Sequence, residues 1–278
     1  MLKTRVVTAV VLLFVFLSAL FGLPPAGWVG FVTLVAAIGA WEWGALLSFD
    51  GRRRVALGIG FAVLCLAIVF SQPAALGLEA VSNEAGRQFG QWLYLPAIAF
   101  WALLVPLWMM RRWPLPKTWL GVLPGLLVLL PTWLALIQLR QMGGWALLGV
   151  MAIVWIADIA AYFSGRRFGR RKIAPTISPG KTWEGAIGAA FAVVLYGLVL
   201  SRFLPHMAAA HDAVLVMAFL GLTAVSIIGD LFESLLKRLA GLKDSSAILP
   251  GHGGVLDRID SLTSTLPLVA FFWLMRWN

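Results

Sequence analysis

The stretch 118-TWLGVLPGLLVLLPTWLALIQ-138 carries no charged residue over 21 positions. An α-helix rises 1.5 Å per residue, so about 20 apolar residues cross the roughly 30 Å of hydrocarbon in a bilayer. The stretch therefore predicts a transmembrane helix. The whole chain agrees, because 61% of its 278 residues are hydrophobic and only 12% are charged, about half the charged share of a typical soluble domain.

Eight further apolar blocks lie on either side of this one. Together the nine blocks cover residues 5–23, 26–48, 55–70, 92–110, 118–138, 145–163, 184–204, 213–236 and 261–276. We therefore predict an all-α polytopic membrane protein with about nine transmembrane helices. The first block follows Lys3 and Arg5, as in a signal peptide, but no small-residue cleavage site comes after it. We predict a retained first span.

The lysines and arginines fall unevenly on the two sides of these spans. If the N-terminus is cytosolic, eighteen of the 22 lie on the cytosolic side. The other side keeps only Arg87, Arg140, Arg202 and Arg276. Because basic residues are retained in the cytosol during insertion, we predict a cytosolic N-terminus and a C-terminus on the outer side.

The net charge of +10 therefore lies mostly on one membrane face. Anionic lipid headgroups attract each basic residue there by about 1 kcal/mol, which makes membrane lipids expected partners. Nucleic acid is not an expected partner, because the basic residues are spread over several loops between spans.

The polar residues divide the chain into two parts. Residues 1–144 form about five spans joined by short turns. Glu42, near the inner end of the second span, either supports a functional site from a neighbouring position or reaches towards the interface, and we favour the second interpretation. Residues 145–278 hold eight of the twelve acidic residues and two long inside loops, 164–183 and 237–260. Loops of this length in a compact protein are usually functional. We predict a polar catalytic cavity in the second part, on the cytosolic side.

Two carboxylates fall within predicted spans of this second part. Asp158 and Asp230 each lie five or six residues from the inner end of a span, which places them roughly 8 to 9 Å below the inner surface. An ionised carboxylate in a span costs about 2.5 to 3.5 kcal/mol on insertion scales. Such residues therefore require a functional or structural reason.

Further charged residues share their helix faces. Glu233 follows Asp230 by three residues and Lys237 follows Glu233 by four, while Asp257 and Asp260 are three apart. Carboxylates bind Mg²⁺ together with substrate phosphates, and Lys or Arg neutralise the remaining phosphate charge. The same residue types also suit a salt-bridged structural cluster or an ion or proton pathway, so three interpretations stay open at this point.

Glycines in the second loop favour an anion site. Gly251, Gly253 and Gly254 flank His252, and glycine lets backbone N–H groups approach an anion closely. His252 would then donate to a phosphate or act as an acid. The alternative is a flexible chain reversal in which His252 is an ordinary loop residue.

The first loop contains 175-PTISPGKTWEG-185, which ends like a P-loop. Pro175 stands where that motif requires its first glycine, so the P-loop interpretation fails. Ser178 or Thr182 can still cap a helix that begins near Glu184, and the N–H groups of its first turn favour a phosphate. A turn and cap without ligand binding remains the alternative.

The run 234-SLLKRLAGLKDSSAILPGHGGVLDRID-260 resembles the signature of the phosphatidate cytidylyltransferase, or CDP-diacylglycerol synthase, family. Its fixed positions are filled by Ser234, Lys237, Arg238, Lys243, Asp244, His252, Gly253, Gly254, Asp257, Arg258 and Asp260. Residues 157–185 resemble the second conserved block of that family. The resemblance covers most of 145–278, and the first 144 residues only as spans.

This resemblance implies that CTP and phosphatidic acid react to give CDP-diacylglycerol and pyrophosphate, a committed step of phospholipid synthesis, at a bacterial-type inner membrane. It implies Mg²⁺ as cofactor, with a second, monovalent cation and a homodimer left open. The metal ligands it implies are Asp230, Asp257 and Asp260. The implied catalytic residues are Asp230, Asp257, Lys237, His252 and Arg258. The implied substrate-binding residues are Ser178, Lys181, Thr182, Lys243, Asp244, Gly253, Gly254 and Asp158.

Three other functions remain open beside this one. A CTP-dependent lipid kinase would transfer the γ-phosphate, and a related cytidylyltransferase would act on another lipid phosphate. An ion-coupled transporter would use Asp158 and Asp230 as its ion site, but transporter sites lie near mid-membrane, whereas these polar residues cluster on one side.

Overall fold

The computed structural model describes residues 2–79, 84–203 and 211–275, and these residues are mostly helical. The first six helices are α1 (Leu2–Gly22), α2 (Pro25–Leu46), α3 (Gly51–Ser71), α4 (Glu84–Ala99), α5 (Val105–Arg111) and α6 (Val122–Arg140). The last four are α7 (Gly144–Phe168), α8 (Trp183–Phe203), α9 (Asp212–Leu239) and α10 (Leu256–Met275). Short 3-10 turns cover Pro73–Leu76 and Trp119–Gly121.

The predicted membrane architecture is confirmed at the level of its helices. Within the described residues, eight helices are long and apolar enough to cross a membrane. The ninth, α10, carries three charged residues in its first turns. The fourth predicted span consists of α4 and α5 joined by a π-helical turn at Phe100–Leu104. Pro96 lies one turn earlier and lacks the N–H that a regular helix would use.

One element departs from the all-helical prediction. The strands β1 (Lys172–Ala174) and β2 (Ser178–Thr182) form an antiparallel hairpin between α7 and α8. Lys172 pairs with Thr182 and Ala174 with Ser178. Folding back in this way lets the connection satisfy its own backbone hydrogen bonds, which no helical periodicity could have predicted.

The two inside loops are shorter than predicted. Helix α7 continues to Phe168 and α9 continues to Leu239, so the connections are residues 169–182 and 240–255. Basic side chains in the last turns of both helices, such as Arg167 and Arg238, interact favourably with the helix dipole and extend these helices. We call residues 240–255 the signature loop.

Helix α2 is held against α6 by buried tryptophans. The indole N–H of Trp43 donates to the Gly121 carbonyl at 3.0 Å, and that of Trp133 donates to Thr33 Oγ1 at 2.8 Å. Both side chains are fully buried, and a buried indole usually finds such an acceptor. The core containing them extends from Ala19 to Leu274.

The division of the chain into two parts at residue 144 stays a prediction.

Interhelical contacts define two ends of the bundle. At one end, Thr8 Oγ1 donates to the Pro250 carbonyl at 2.9 Å and Arg112 donates to Thr176 Oγ1 at 3.0 Å. At the opposite end of α1, Arg140 donates to the Leu20 carbonyl at 3.0 Å. Residues that the charge distribution assigns to one side of the membrane therefore meet at one end.

Two of the four arginines predicted for the other side are fully described. Arg140 contacts the end of α1, and Arg202 forms an exposed ion pair with Asp212 at 3.0 Å. The Arg87 side chain and Arg276 lie outside the described residues.

Candidate active site

Asp257 closes the signature loop onto the start of α10. Its Oδ2 accepts hydrogen bonds from Ser245 N and Oγ, both at 2.9 Å, and from Gly254 N at 2.7 Å. Its Oδ1 accepts from the Lys237 ammonium. A carboxylate in the first turn also interacts favourably with the helix dipole. Asp257 and Lys237 are both buried, so the pair links α9, the loop and α10.

The glycines of this loop pack closely against the same carboxylates. Gly253 has a φ of +78°, in the left-handed region that favours glycine. A Cβ at Gly254 would overlap both Ser245 Oγ and the carboxylate of Glu42. The backbone N–H of Gly254 does approach an anion, as expected, but that anion is the side chain of Asp257. Phosphate binding by Gly253 and Gly254 stays a prediction.

Glu42 caps the start of α10 and is fully buried. Its Oε1 accepts from Ser246 Oγ at 2.6 Å and Val255 N at 2.9 Å. Its Oε2 accepts from Ser245 Oγ at 3.1 Å and Leu256 N at 2.6 Å. A helix leaves its first N–H groups without intrahelical partners, and this carboxylate supplies two of them with an acceptor.

The interpretation of Glu42 as a side chain reaching towards the interface is therefore wrong. Its partners lie more than 200 positions later in the chain, so no local pattern could reveal them. One feature of the sequence could have indicated this role: Glu42 lies inside a span and has no basic residue within one helical turn. Such a carboxylate needs hydrogen-bond donors from another part of the chain.

The hairpin brings Lys181 to α9. Lys181 Nζ lies 2.5 Å from Asp230 Oδ2, and both side chains are about one quarter exposed. Asp230 Oδ1 also accepts from Ser234 Oγ at 3.3 Å. At the end of β2, the buried Thr182 accepts from Gly185 N at 3.1 Å through its hydroxyl. Thr182 therefore caps α8 as predicted, whereas Ser178 lies half-buried in β2.

Carboxylates from three helices share one region, as the sequence predicted. Asp158 of α7 interacts electrostatically with Asp230 of α9, and Asp260 of α10 interacts with both. We call these three residues the acidic cluster. Lys181 and Arg258 also act on Asp158 and reduce the mutual repulsion of the cluster.

A second carboxylate group lies next to the acidic cluster. The buried Glu233 forms an ion pair with Lys237, whose Nζ lies 3.3 Å from Glu233 Oε1. Lys237 therefore lies between Glu233 and Asp257. Asp260 interacts electrostatically with Glu233 and Lys237, so the two groups are contiguous.

The acidic cluster offers oxygen donors of the kind that a divalent metal ion uses. Within residues 2–79, 84–203 and 211–275, no three His, Cys, Asp or Glu side chains are already arranged around one metal position. Mg²⁺ needs only one or two carboxylates when substrate phosphates and water complete its shell, so the chemistry of the acidic cluster fits it. Asp257 is less suited because its carboxylate already accepts four hydrogen bonds. Its role as a metal ligand stays a prediction.

The remaining predicted residues line one cleft of about 500 Å³ beside the signature loop. We call it the basic cleft, and its predicted members are Lys243, Asp244, His252, Gly253 and Arg258. The Nδ1 of His252 is buried and has no hydrogen-bond partner among the described residues. Arg258 also interacts electrostatically with Asp158. Arg258 therefore belongs to the basic cleft and also acts on the acidic cluster.

Comparison with known proteins identifies the family of the chain. A model of the cytidylyltransferase family matches residues 3–275. The chain belongs to the cytidylyltransferase family. This confirms the predicted family and shows that the protein is an enzyme that transfers nucleotidyl groups.

Two similar bacterial proteins align with this chain over nearly its whole length. It is 39% identical to the phosphatidate cytidylyltransferase of Pseudomonas aeruginosa, with all of this chain and 99% of the relative aligned. It is 37% identical to the phosphatidate cytidylyltransferase of Haemophilus influenzae, over 98% of this chain and 99% of the relative. It is also 31% identical to the uncharacterized protein YnbB of Escherichia coli, over 89% of this chain and 78% of the relative.

Proposed function

We propose that this protein transfers the cytidylyl group of CTP to phosphatidic acid and thereby forms CDP-diacylglycerol and pyrophosphate. The full-length similarity to two bacterial phosphatidate cytidylyltransferases carries the proposal. The juxtaposition of a basic cleft and an acidic cluster supports it, because phosphoryl-group chemistry requires charge neutralisation from both metal and basic side chains.

The reaction needs no covalent enzyme intermediate. An oxygen of the lipid phosphate forms a new bond to the α-phosphorus of CTP, and the bond from that phosphorus to the bridging oxygen of the β-phosphate breaks. The electron pair leaves with pyrophosphate. The protein therefore acts by holding two anions in line and offsetting their charge.

Separate groups hold the two phosphates. Lys243, His252 and Arg258 in the basic cleft bind the triphosphate of CTP. Lys181, positioned by its ion pair with Asp230, binds the phosphate of the lipid as it arrives along the membrane. Arg258 lines the basic cleft and also interacts electrostatically with Asp158, so in this proposal it binds the α-phosphate of CTP. A guanidinium suits that position because it donates to two phosphate oxygens at once.

Residues Asp158, Asp230 and Asp260 would hold Mg²⁺, which offsets negative charge on the reacting phosphates when bound. In this proposal Asp257 is a positioning residue that keeps Lys237 and the signature loop in place. A second, monovalent cation and a homodimer remain predictions.

The protein is an integral membrane protein, and we propose that its catalytic end faces the cytosol of a bacterial-type inner membrane. Eighteen of its 22 lysines and arginines fall on that side of the predicted spans. CTP would enter from the cytosol, while phosphatidic acid would reach the same depth within the inner leaflet.

Product analysis tests the proposal. Purified protein in nanodiscs receives CTP labelled at the α- or γ-phosphorus, phosphatidic acid and Mg²⁺. The α-label is expected in the lipid product and the γ-label in released pyrophosphate. Transfer of the γ-label to lipid would instead identify a kinase, and turnover only with a different lipid phosphate would reassign the substrate. No chemistry with any lipid phosphate would refute the proposal.

Variants on α9 test the placement of the site. Asp230→Asn is expected to abolish turnover while the protein still elutes as a folded species in detergent. Asp212→Asn is the matched control, because this exposed carboxylate lies at the other end of the same helix. Lys181→Ala should mainly raise the lipid concentration needed for half-maximal rate. Normal activity in Asp230→Asn would remove that residue from the site.

A further inference from the structure

The start of α1 is attached to the signature loop. Thr8 Oγ1 donates to the Pro250 carbonyl at 2.9 Å across 242 positions of sequence. At the next residue, Gly251, an added Cβ would lie 3.0 Å from Arg5 Cγ. Gly251 has a φ of +76°, so the backbone here turns in a conformation that glycine favours and gives α1 room to approach.

Arg5 reaches the basic cleft from this position. It lines the same cavity of about 500 Å³ as Lys243, His252 and Arg258. The Arg5 side chain is exposed, and it forms no hydrogen bond or ion pair with the other residues that the structure describes. Lys181 and Lys237, in contrast, each contact a carboxylate.

The charge of the cleft favours an anion with several negative charges. Arg5, Lys243 and Arg258 contribute three positive charges against the single negative charge of Asp244. Its lining residues come mainly from the signature loop and not from the apolar middle of a span. Guanidinium groups bind phosphate oxygens through two parallel hydrogen bonds. A nucleoside triphosphate fits this setting better than a single lipid phosphate.

We propose that Arg5 binds the β- and γ-phosphates of CTP, so that the N-terminal helix contributes directly to the nucleotide site. This inference rests on the proposed function only for the identity of the nucleotide. Beyond its first turn, α1 exposes many apolar side chains, such as Val10 and Phe14. The contacts of Thr8 and Arg5 with the signature loop hold the first turns of this helix against the site.

Steady-state kinetics of the full-length protein in nanodiscs of zwitterionic lipid test the role of Arg5. Arg5→Ala is expected to raise KM for CTP about tenfold or more, the effect of losing hydrogen bonds to a charged group. KM for phosphatidic acid should change less than twofold. Arg5→Lys should fall between the wild type and Arg5→Ala, because it keeps the charge and loses the paired donors.

Lys3→Ala provides the matched control. It removes one positive charge from the same turn of α1, but Lys3 does not line the cleft, so both KM values should remain those of the wild type. Equal effects of Arg5→Ala and Lys3→Ala, or a parallel rise in KM for both substrates, would overturn the inference and show that Arg5 only anchors the helix to lipid headgroups.

Equilibrium binding of radiolabelled CTP separates this inference from the proposed reaction. If the wild type binds CTP but does not turn over phosphatidic acid, the proposed reaction fails, and the comparison with Arg5→Ala still reports on Arg5. Weaker CTP binding by Arg5→Ala than by Lys3→Ala supports the inference. Equal binding by Arg5→Ala and the wild type, or no binding by the wild type, refutes it.

Discussion

Replacing Glu42 by glutamine should open the signature loop without unfolding the bundle. The carboxylate of Glu42 accepts four hydrogen bonds, two on each oxygen. Glutamine has nearly the same shape but offers only one oxygen, and its other terminal atom is an NH₂ donor. Whichever way the amide is oriented, two donors of the loop face that NH₂ group.

The cost follows from which donors can adjust. A serine hydroxyl can rotate and accept from the NH₂ group, but the backbone N–H of Val255 or Leu256 cannot. Leaving one buried N–H without an acceptor costs about 1 to 3 kcal/mol, and converting the two remaining charge-assisted bonds to neutral ones removes about 1 kcal/mol each. We therefore expect Glu42→Gln to destabilise the closed loop by about 3 to 5 kcal/mol.

Hydrogen exchange followed by mass spectrometry measures this change locally. Peptides that contain residues 244–256 should exchange about a hundredfold faster or more in Glu42→Gln, while peptides from α6 keep their protection. Ser246→Ala is the control, since it leaves the N–H groups of Val255 and Leu256 with their acceptor; it removes one donor to Glu42 and the acceptor of the exposed Ile248 N–H, so only Ile248 should exchange faster. Unchanged protection of Val255 and Leu256 in a folded Glu42→Gln protein would refute this account of the cap.

Three further predictions concern the same region. Gly254→Ala places a methyl group against Ser245 and Glu42 and should cost about 1 to 3 kcal/mol of stability; an unchanged Tm in detergent would contradict the packing. Asp257→Asn breaks a buried pair with Lys237 at a cost of about 3 to 5 kcal/mol, so both thermal stability and CDP-diacylglycerol formation should fall, and a fully active, equally stable variant would count against its positioning role. Removing divalent metal with EDTA should stop turnover until Mg²⁺ is restored, and turnover that survives EDTA would exclude the metal.

The membrane spans were predictable because hydropathy is a property of one contiguous segment. Each of the nine apolar blocks corresponds to helices in the described residues, to which the last residues of the seventh and ninth blocks, 204 and 276, do not belong. The errors lie at helix ends, where α7 and α9 continue for several residues beyond their apolar blocks. The length of an apolar block does not reflect how basic residues stabilise the last turn of a helix.

Parts of the site were also visible in the sequence. Helical spacing relates Asp230 to Glu233 and Lys237, and the cap formed by Thr182 follows from its position before α8. The resemblance of the signature to a known family brought Lys243, His252 and Arg258 into one group, and these residues do line one cleft. These residues lie a few positions apart or within one motif, so the sequence alone can group them.

The sequence by itself determined that this protein is a bundle of membrane helices, because the free energy of insertion is summed along each segment. It also showed that most acidic residues lie in the second half of the chain. Only the tertiary structure decided that Glu42 caps α10, that Arg5 enters the basic cleft and that Lys181 pairs with Asp230. Those contacts join different helices and loops. Their geometry depends on how each helix is rotated and packed against its neighbours, which no single segment specifies.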